Sequence, residues 1–206
     1  IGVLAVLALR QVKYRALYVV GAGLLAVASI PFLPASFTER METIRDHRSD
    51  QSASTRVAVW QWTWDYAKNN PFGGGFEAYR QNEVRVDKAE TKFDPDKGGD
   101  TGPITYEERA RAYHSSYFEM LGEQGYPGLV MWLTLHIWGL VSMERLRRRY
   151  LKTRRAEEQW IAPLATALQH GHIIYLVGSV FVGIAFQPFI YMMIALQIGL
   201  HTYVRR

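Results

Sequence analysis

The stretch YPGLVMWLTLHIWGLVSM, residues 126–143, contains no Asp, Glu, Lys or Arg, and the basic segment ERLRRRY follows it directly. Two further stretches, 16–36 and 159–204, are also free of these four residue types. A bilayer core needs about 20 apolar residues per helix. The stretches 16–36 and 126–143 therefore predict one span each, and the stretch 159–204 predicts two. Residues 1–9 predict the end of another span. The sequence therefore predicts an all-α polytopic membrane protein with one large, partly helical extracytoplasmic loop.

The distribution of charge predicts the orientation of these spans, because basic loops are retained on the cytoplasmic side of a membrane. Lys and Arg outnumber Asp and Glu in residues 10–15, 144–158 and 205–206, whereas acids outnumber bases in 37–125. This asymmetry predicts a bacterial inner (cytoplasmic) membrane protein with 37–125 in the periplasm. The sequence pI near 9.5 is then a signal of topology, and no nucleic-acid partner is expected.

The predicted organisation follows directly from these boundaries. It comprises the end of one span, a cytoplasmic turn and a second span (1–36), a periplasmic catalytic loop (37–125), a span (126–143), a basic cytoplasmic loop (144–158), a pair of spans (159–204) and a cytoplasmic tail (205–206). The chain opens on Ile1 inside an apolar run, so we expect a fragment of a longer membrane protein. The sequence has no cysteine, which excludes disulfides and a Cys nucleophile.

The beginning of the loop predicts a helix that carries a cation near its N-terminus. The segment STRVAVWQWTWDYAKN, residues 54–69, precedes Pro71 and brings Arg56, Trp60 and Trp64 onto one face. A cation in the first turn opposes the helix macrodipole at a cost of roughly 0.3 to 1 kcal/mol. A bound phosphate would offset that cost. The alternative is that Arg56 pairs with Asp50 or reaches lipid headgroups.

The end of the loop predicts a second helix, preceded by a histidine. In YHSSYFEMLGEQGYPG, residues 113–128, Ser116 and Glu119 form a capping-box pattern, and Gly125 begins a helix stop. His114 would stand just before the helix N-terminus, where a neutral ring suited to accept a proton is favoured. Residues 80–111, between the two helices, are predicted to be mobile and solvated.

The order of these residues resembles a known family. Arg56, Trp60, the segment NPFGGGF at 70–76, His114 and the pattern Glu123-x-Gly125-x-x-Gly128 follow one another along the chain. This order and spacing resembles the large extracytoplasmic loop of the O-antigen ligase and polymerase superfamily (C-terminal part only). The nearest likeness is to the O-glycosylation ligase type associated with exosortase systems. The specific likeness covers about residues 38–143, and the last two spans agree only in hydropathy and placement.

The resemblance implies a GT-C-like membrane enzyme that transfers a glycan, with inversion, from an undecaprenyl-pyrophosphate carrier to an acceptor hydroxyl. It implies that Arg56 holds the donor pyrophosphate and that His114 acts at the acceptor, which is a glycan, a lipid or a protein. Many family members have Asn after this His, where the present chain has Ser115. Neither a cofactor nor a metal is expected, and membrane lipid is an expected partner.

Five further residues are candidate sugar or phosphate contacts, although a solvated charged loop is the alternative interpretation for most of them. They are Trp60, Arg80, Arg109, Arg111 and Tyr113. The triple glycine at 73–75 lacks the Lys and Ser/Thr of a phosphate-binding loop, so it predicts a tight turn. In the predicted span pair, Gln169, His170 and His172 predict interhelical hydrogen bonds, whereas His47, His136 and His201 have no supporting pattern.

Three other functions remain open at this point. A polymerase of the same superfamily would use the growing repeat unit as its acceptor. A polysaccharide flippase or transporter would concentrate its polar groups within the spans. A receptor-like anchor would need a loop domain with its own core, for which residues 80–112 contain few apolar side chains.

Overall fold

The computed structural model describes residues 51–94 and 99–205, together with Val20, Gly21 and Leu24, which are helical. Its elements in chain order are α1 (Gln51–Asn69), a 3-10 helix (Ala78–Gln81), β1 (Glu83–Asp94), β2 (Gly99–Arg109), α2 (Ser116–Tyr150), a second 3-10 helix (Ala156–Glu158), α3 (Ile161–Gly178) and α4 (Pro188–Arg205). The described part is therefore mostly helical, with four α-helices. Apart from Val20, Gly21 and Leu24, the predicted spans at 1–9 and 16–36 lie outside the described residues.

The chain divides into two compact units. One comprises 1–52 and 87–105, and its described residues are Val20, Gly21, Leu24, the start of α1 and the distal part of the β1–β2 hairpin. The other comprises 53–86 and 106–206 and contains every candidate site residue.

The two-stranded sheet corrects the expectation of an all-α chain with an irregular segment at 80–111. Strands β1 and β2 pair within that segment. Salt bridges join the strands, from Arg85 to Glu107 at 3.3 Å and from Arg109 to Glu83 at 3.2 Å. Opposite charges that face each other across a strand pair stabilise it. The charges that indicated a solvated loop are thus compatible with a strand pair. Val84 of β1 is buried in a cluster with Val59 of α1 and Tyr113.

Helix α2 contains a sharp break where the sequence predicted that a helix stops. Gly125 has φ 65° and ψ −164°, outside the helical region, and the helix continues beyond it. The segment after α1 supplies the hydrogen bonds that the break removes: Gly74 N donates to Gly122 O at 2.9 Å and Tyr126 N to Pro71 O at 2.9 Å. A side chain on Gly125 would collide with the Pro71 carbonyl. The glycine turn that follows α1 is therefore packed against the break in α2.

Helices α2, α3 and α4 pack along one another. One core cluster joins the first half of α2 to the end of α3 and the start of α4, through Met120, Trp132, Tyr175, Ala185, Ile190 and Ile194. A second cluster joins the end of α2 to the start of α3 and the end of α4, through Met143, Leu146, Ile161, Ala165 and Leu200. Helix α3 therefore runs opposite to α2, and α4 runs in the same direction as α2.

Helix α2 is long and apolar enough to cross a membrane, and it is the one helix within 51–94 and 99–205 that meets this test of length and composition. Only 28% of its most apolar window is buried inside the protein. Large apolar side chains such as Met131, which is 73% exposed, face outward. Helices α3 and α4 have 18 residues each and carry polar side chains. A multi-pass arrangement therefore stays a prediction.

The interhelical hydrogen bonds predicted for this region are present at His172 and Gln169. His136 Nδ1 lies 2.6 Å from His172 Nε2, and His172 Nδ1 lies 3.2 Å from Gln197 Oε1, so one chain of side chains joins three helices. Gln169 Nε2 donates to Glu144 Oε2 at 3.3 Å. His136 had no recognisable sequence pattern because its partners come from helices distant in sequence.

Candidate functional site

Helix α1 contacts the segment before α2 through the ring of Trp60. The indole Nε1 donates a hydrogen bond of 2.7 Å to the carbonyl oxygen of Tyr113. The same ring stacks on Phe118 of α2, with centroids 5.1 Å apart and planes 5° apart. Trp64 meets Tyr126 edge-on at 6.5 Å. The predicted one-faced arrangement of Trp60 and Trp64 is therefore confirmed, since both rings contact α2.

Tyr113 is buried in the small core beneath these contacts. Its side chain is 3% exposed and meets Tyr79 edge-on at 5.8 Å, and its hydroxyl lies against Gly122. Burial, with the nearby Glu123 carboxylate, raises the pKa of Tyr113 well above its usual range, so the phenol stays protonated. Within the described residues its hydroxyl has no hydrogen-bond partner. Tyr113, a candidate substrate contact in the sequence, is thus oriented into the core.

Asn82 holds the chain upstream of Tyr113, a role that no local sequence pattern indicates. Its side-chain Oδ1 accepts a hydrogen bond of 2.9 Å from Arg111 N, and its Nδ2 donates one of 2.6 Å to Arg111 O. Its own backbone oxygen accepts from Ala110 N at 3.1 Å. Asn82 is 1% exposed, so these bonds are shielded from water. At the open end of the hairpin, the Asn82 side-chain amide therefore binds the backbone of Arg111 where a strand backbone would otherwise do so.

His114 follows directly on this fixed segment. It is exposed and has φ 48°, the left-handed region that non-glycine residues seldom occupy. Ser115 is the N-cap of α2, which confirms that His114 stands just before a helix N-terminus. Such conformations persist where the surroundings enforce them, and they cluster at active sites. Here the bond between Trp60 and Tyr113 and the clamp by Asn82 fix the backbone, while the imidazole remains accessible.

The predicted capping box is wrong. Ser115 rather than Ser116 is the N-cap, and it makes no side-chain capping bond. Ser116 Oγ instead donates to Val182 O at 2.9 Å, and the Glu119 carboxylate accepts from Ala185 N at 2.8 Å. Both side chains bind the connection between α3 and α4, which a local pattern of four residues cannot anticipate. This connection therefore lies at the same end of α2 as His114.

Arg56 lies one turn before Trp60 on α1 and is partly buried. In the part of the chain that the structure describes, it has no salt bridge, and its alternative partner Asp50 lies outside that part. Helix α1 begins at Gln51 rather than at Ser54 or Thr55, so the prediction that Arg56 lies in the first turn is wrong and its charge stands in the second turn. Because Trp60 binds Tyr113 and His114 comes next, Arg56 and His114 belong to elements in direct contact.

The other candidate cations are paired with carboxylates. Arg80 binds Glu77 at 2.8 Å, Arg109 binds Glu83 at 3.2 Å, and Arg111 binds Glu108 at 2.8 Å. Hydrogen bonding to Glu108 raises the pKa of Arg111, and contacts with Tyr79 and Glu77 raise that of Arg80. The pairs of Arg80 and Arg109 are exposed on both sides and contribute little to stability, whereas Glu108 in the third pair is largely buried. They distinguish Arg56, whose charge has no such partner among the described residues.

The described residues contain no group of three or more His, Cys, Asp or Glu side chains placed to hold a metal ion. The triple glycine forms the predicted turn: Gly73 and Gly75 have φ near +80°. The backbone N–H groups of Gly74 and Gly75 bind the carbonyls of Gly122 and Glu123. Two of the three glycine N–H groups are thus occupied by α2.

The fold and the site together define a mostly helical protein with one candidate membrane span in its described part and an exposed histidine just before the helix that contains this span. The family model described as O-antigen ligase matches residues 1–133, and the chain belongs to that family. The family is membrane-bound. Membership of it suggests glycosyltransferase or ligase activity on lipid-linked glycans. Neither a curated protein nor a solved structure matches the chain.

The matched region contains all the candidate residues from Arg56 to His114, whereas α3 and α4 lie beyond it. The resemblance inferred from the order of the Arg, Pro-Phe-Gly-Gly-Gly and His segments is thus confirmed at the level of the family. The finer likeness, to the exosortase-associated type, stays a prediction.

Proposed function

We propose that this chain belongs to an inverting membrane glycosyltransferase. It transfers a glycan from an undecaprenyl-pyrophosphate carrier to an acceptor hydroxyl on the periplasmic face of the bacterial inner membrane. The observation that carries the proposal is the exposed His114, held in a left-handed conformation beside the helix of Arg56. Membership of the O-antigen ligase family supports the same class of reaction.

In the proposed reaction Arg56 binds the donor pyrophosphate. Transfer breaks the bond between the anomeric carbon and the pyrophosphate oxygen, and negative charge develops on that oxygen. A guanidinium stabilises this charge and can form two parallel hydrogen bonds to phosphate oxygens. Arg56 has no salt bridge within the described residues. This supports the assignment, because a bound phosphate would compensate the charge.

His114 acts as the general base at the acceptor. Its unprotonated ring nitrogen takes the hydroxyl proton while the acceptor oxygen attacks the anomeric carbon from the side opposite the leaving pyrophosphate. A positioned general base contributes typically about 10²- to 10⁴-fold to a rate. Its exposed ring and its place before a helix N-terminus support this role.

The proposed topology places residues 37–125 in the periplasm and residues 144–158 in the cytoplasm. In support, the helix packing puts His114 and the connection between α3 and α4 at one end of α2. The basic residues Arg145–Arg155 lie at the other end of α2. The part of α2 after Gly125 is about 37 Å long at 1.5 Å per residue, enough to cross a bilayer core. Helices α3 and α4 would then cross as well.

A substitution series at Arg56 tests the donor role. In the full-length protein, Arg56→Ala should lower glycan transfer strongly, and Arg56→Lys should lie between it and the wild type because Lys keeps charge but loses the fork geometry. The matched control is Arg109→Lys, since Arg109 is paired with Glu83. Transfer is measured from a purified lipid-linked donor at several donor concentrations. Equal effects at both positions would contradict a specific donor contact by Arg56.

A polysaccharide transporter is the second candidate, and the polar chain of His136, His172 and Gln197 within the helices favours it. These three side chains are at most 1% exposed, so they line no open passage in this structure. The Arg56 series separates the two functions. A transporter forms no new glycosidic bond, and if its loop is inert it would move glycan normally in every Arg56 variant.

A further inference from the structure

We propose that the basic end of the helix bundle binds the phosphate headgroup of an anionic phospholipid. The site is formed by Arg145 of α2 with His201 and Arg205 of α4. This inference does not depend on glycan transfer. It rests only on the proposed placement of α2 across a membrane, with Arg145 at the cytoplasmic end.

The helix geometry brings the three side chains together. Trp138 of α2 contacts His201 of α4, with ring centroids 5.7 Å apart. Arg145 follows Trp138 by two turns and Arg205 follows His201 by one turn, so each arginine continues the same helix face. Long side chains on a helix lean toward its N-terminus, which directs Arg145 back toward the level of His201. Both guanidinium groups lie within electrostatic reach of the His201 ring.

The charge at this site is uncompensated within residues 99–205. Neither Arg145 nor Arg205 has a salt bridge there, because the adjacent Glu144 is bound by Arg147 at 2.8 Å and by Arg148 at 2.7 Å. His201 Nδ1 is buried and has no hydrogen-bond partner in the same part of the chain. Two guanidinium groups suit a phosphate, and an anion would compensate both charges.

The surroundings of the site favour a lipid over a soluble anion. Trp138 is 40% exposed and Val141 is 41% exposed, so the surface beside the three polar groups is apolar. Trp160 and Tyr203 pair at the same end of the bundle, with centroids 5.9 Å apart. Aromatic residues of this kind mark the level of the headgroups. A phospholipid would present its phosphate to the arginines and its acyl chains to this apolar surface.

The test measures lipid retention by the full-length protein in nanodiscs of phosphatidylcholine with or without phosphatidylglycerol. Native mass spectrometry after detergent extraction should show phosphatidylglycerol retained in preference to phosphatidylcholine. A basic residue near an anionic lipid surface changes binding by about fivefold, so Arg145→Ala should weaken retention about fivefold, and the double variant with Arg205→Ala should weaken it further. The control Arg154→Ala removes an exposed charge from the neighbouring loop and should leave retention unchanged.

Three results would overturn the proposal. One is equal retention of the two lipids, and another is an equal loss in the Arg154→Ala control, which would indicate a diffuse attraction instead of a site. The third is binding of inorganic phosphate without retention of phosphatidylglycerol, which would identify a soluble anion as the ligand. Thermal unfolding of each variant in phosphatidylcholine alone identifies a misfolded protein. If Arg145→Ala is misfolded, Arg145→Lys replaces it, and its lipid retention should be intermediate.

Discussion

The indole of Trp60 donates its hydrogen bond to the backbone of Tyr113, the residue that immediately precedes His114. One side chain of α1 thereby fixes the position of a backbone segment that is distant in sequence. The bond supports an account in which Arg56, one turn earlier on α1, and His114 act on the same substrate.

Replacement of Trp60 by Phe tests this relationship. Phe keeps an aromatic ring against Phe118 but cannot donate to the Tyr113 carbonyl, so we expect a loss of about 0.5 to 1.5 kcal/mol in the free energy of unfolding. We also expect lower glycan transfer, because the backbone of His114 is less firmly held. The control is Trp64→Phe, since Trp64 is 51% exposed. Thermal unfolding and transfer assays check both variants, and identical behaviour would remove the positioning role of Trp60.

The contact between Gly122 and the Tyr113 hydroxyl predicts a coupled pair of substitutions. Gly122→Ala should destabilise the protein by about 1 to 3 kcal/mol, because the added methyl group collides with the Tyr113 ring and its hydroxyl. Tyr113→Phe removes a buried hydroxyl that has no partner within the described residues, so its own cost should be close to zero. In the double variant part of the loss should be recovered. Strictly additive effects in unfolding experiments would show that the two residues do not touch.

Several features of this site follow from local sequence patterns. The helix of Arg56 and Trp60, the break at Gly125 and the place of His114 before a helix were all predictable from residue spacing and from glycine and proline signals. Other features depend on partners far along the chain. Asn82 acts through the backbone of Arg111, and Ser116 acts through the connection between α3 and α4, so neither has a local signature.

The β1–β2 hairpin was not predictable from the sequence for a different reason. Its charged residues indicated a solvated segment, because a single strand with alternating charge resembles a loop in composition. The salt bridges of Arg85 with Glu107 and Arg109 with Glu83 exist only once the two strands pair. Cross-strand complementarity is a property of two segments, and it becomes visible when their register is known.

The proposed topology predicts opposite labelling of two engineered cysteines. The chain has no native cysteine, so single substitutions at Ser52 and Thr153 give clean probes. An impermeant thiol reagent applied to intact cells with a permeable outer membrane should label Ser52→Cys. It should label Thr153→Cys only after the inner membrane is opened. Labelling of both positions from the same side would contradict a periplasmic loop followed by a cytoplasmic basic segment.

Glycan transfer by His114→Gln in the full-length protein tests whether His114 is the general base of the reaction. Glutamine preserves bulk and hydrogen bonding but has no basic nitrogen at neutral pH, so we expect a rate about 10²- to 10⁴-fold below that of the wild type, with normal membrane insertion. His114→Ala should be at least as impaired. Transfer by His114→Gln at the wild-type rate would exclude the base role, because His114 would then position the acceptor without removing its proton.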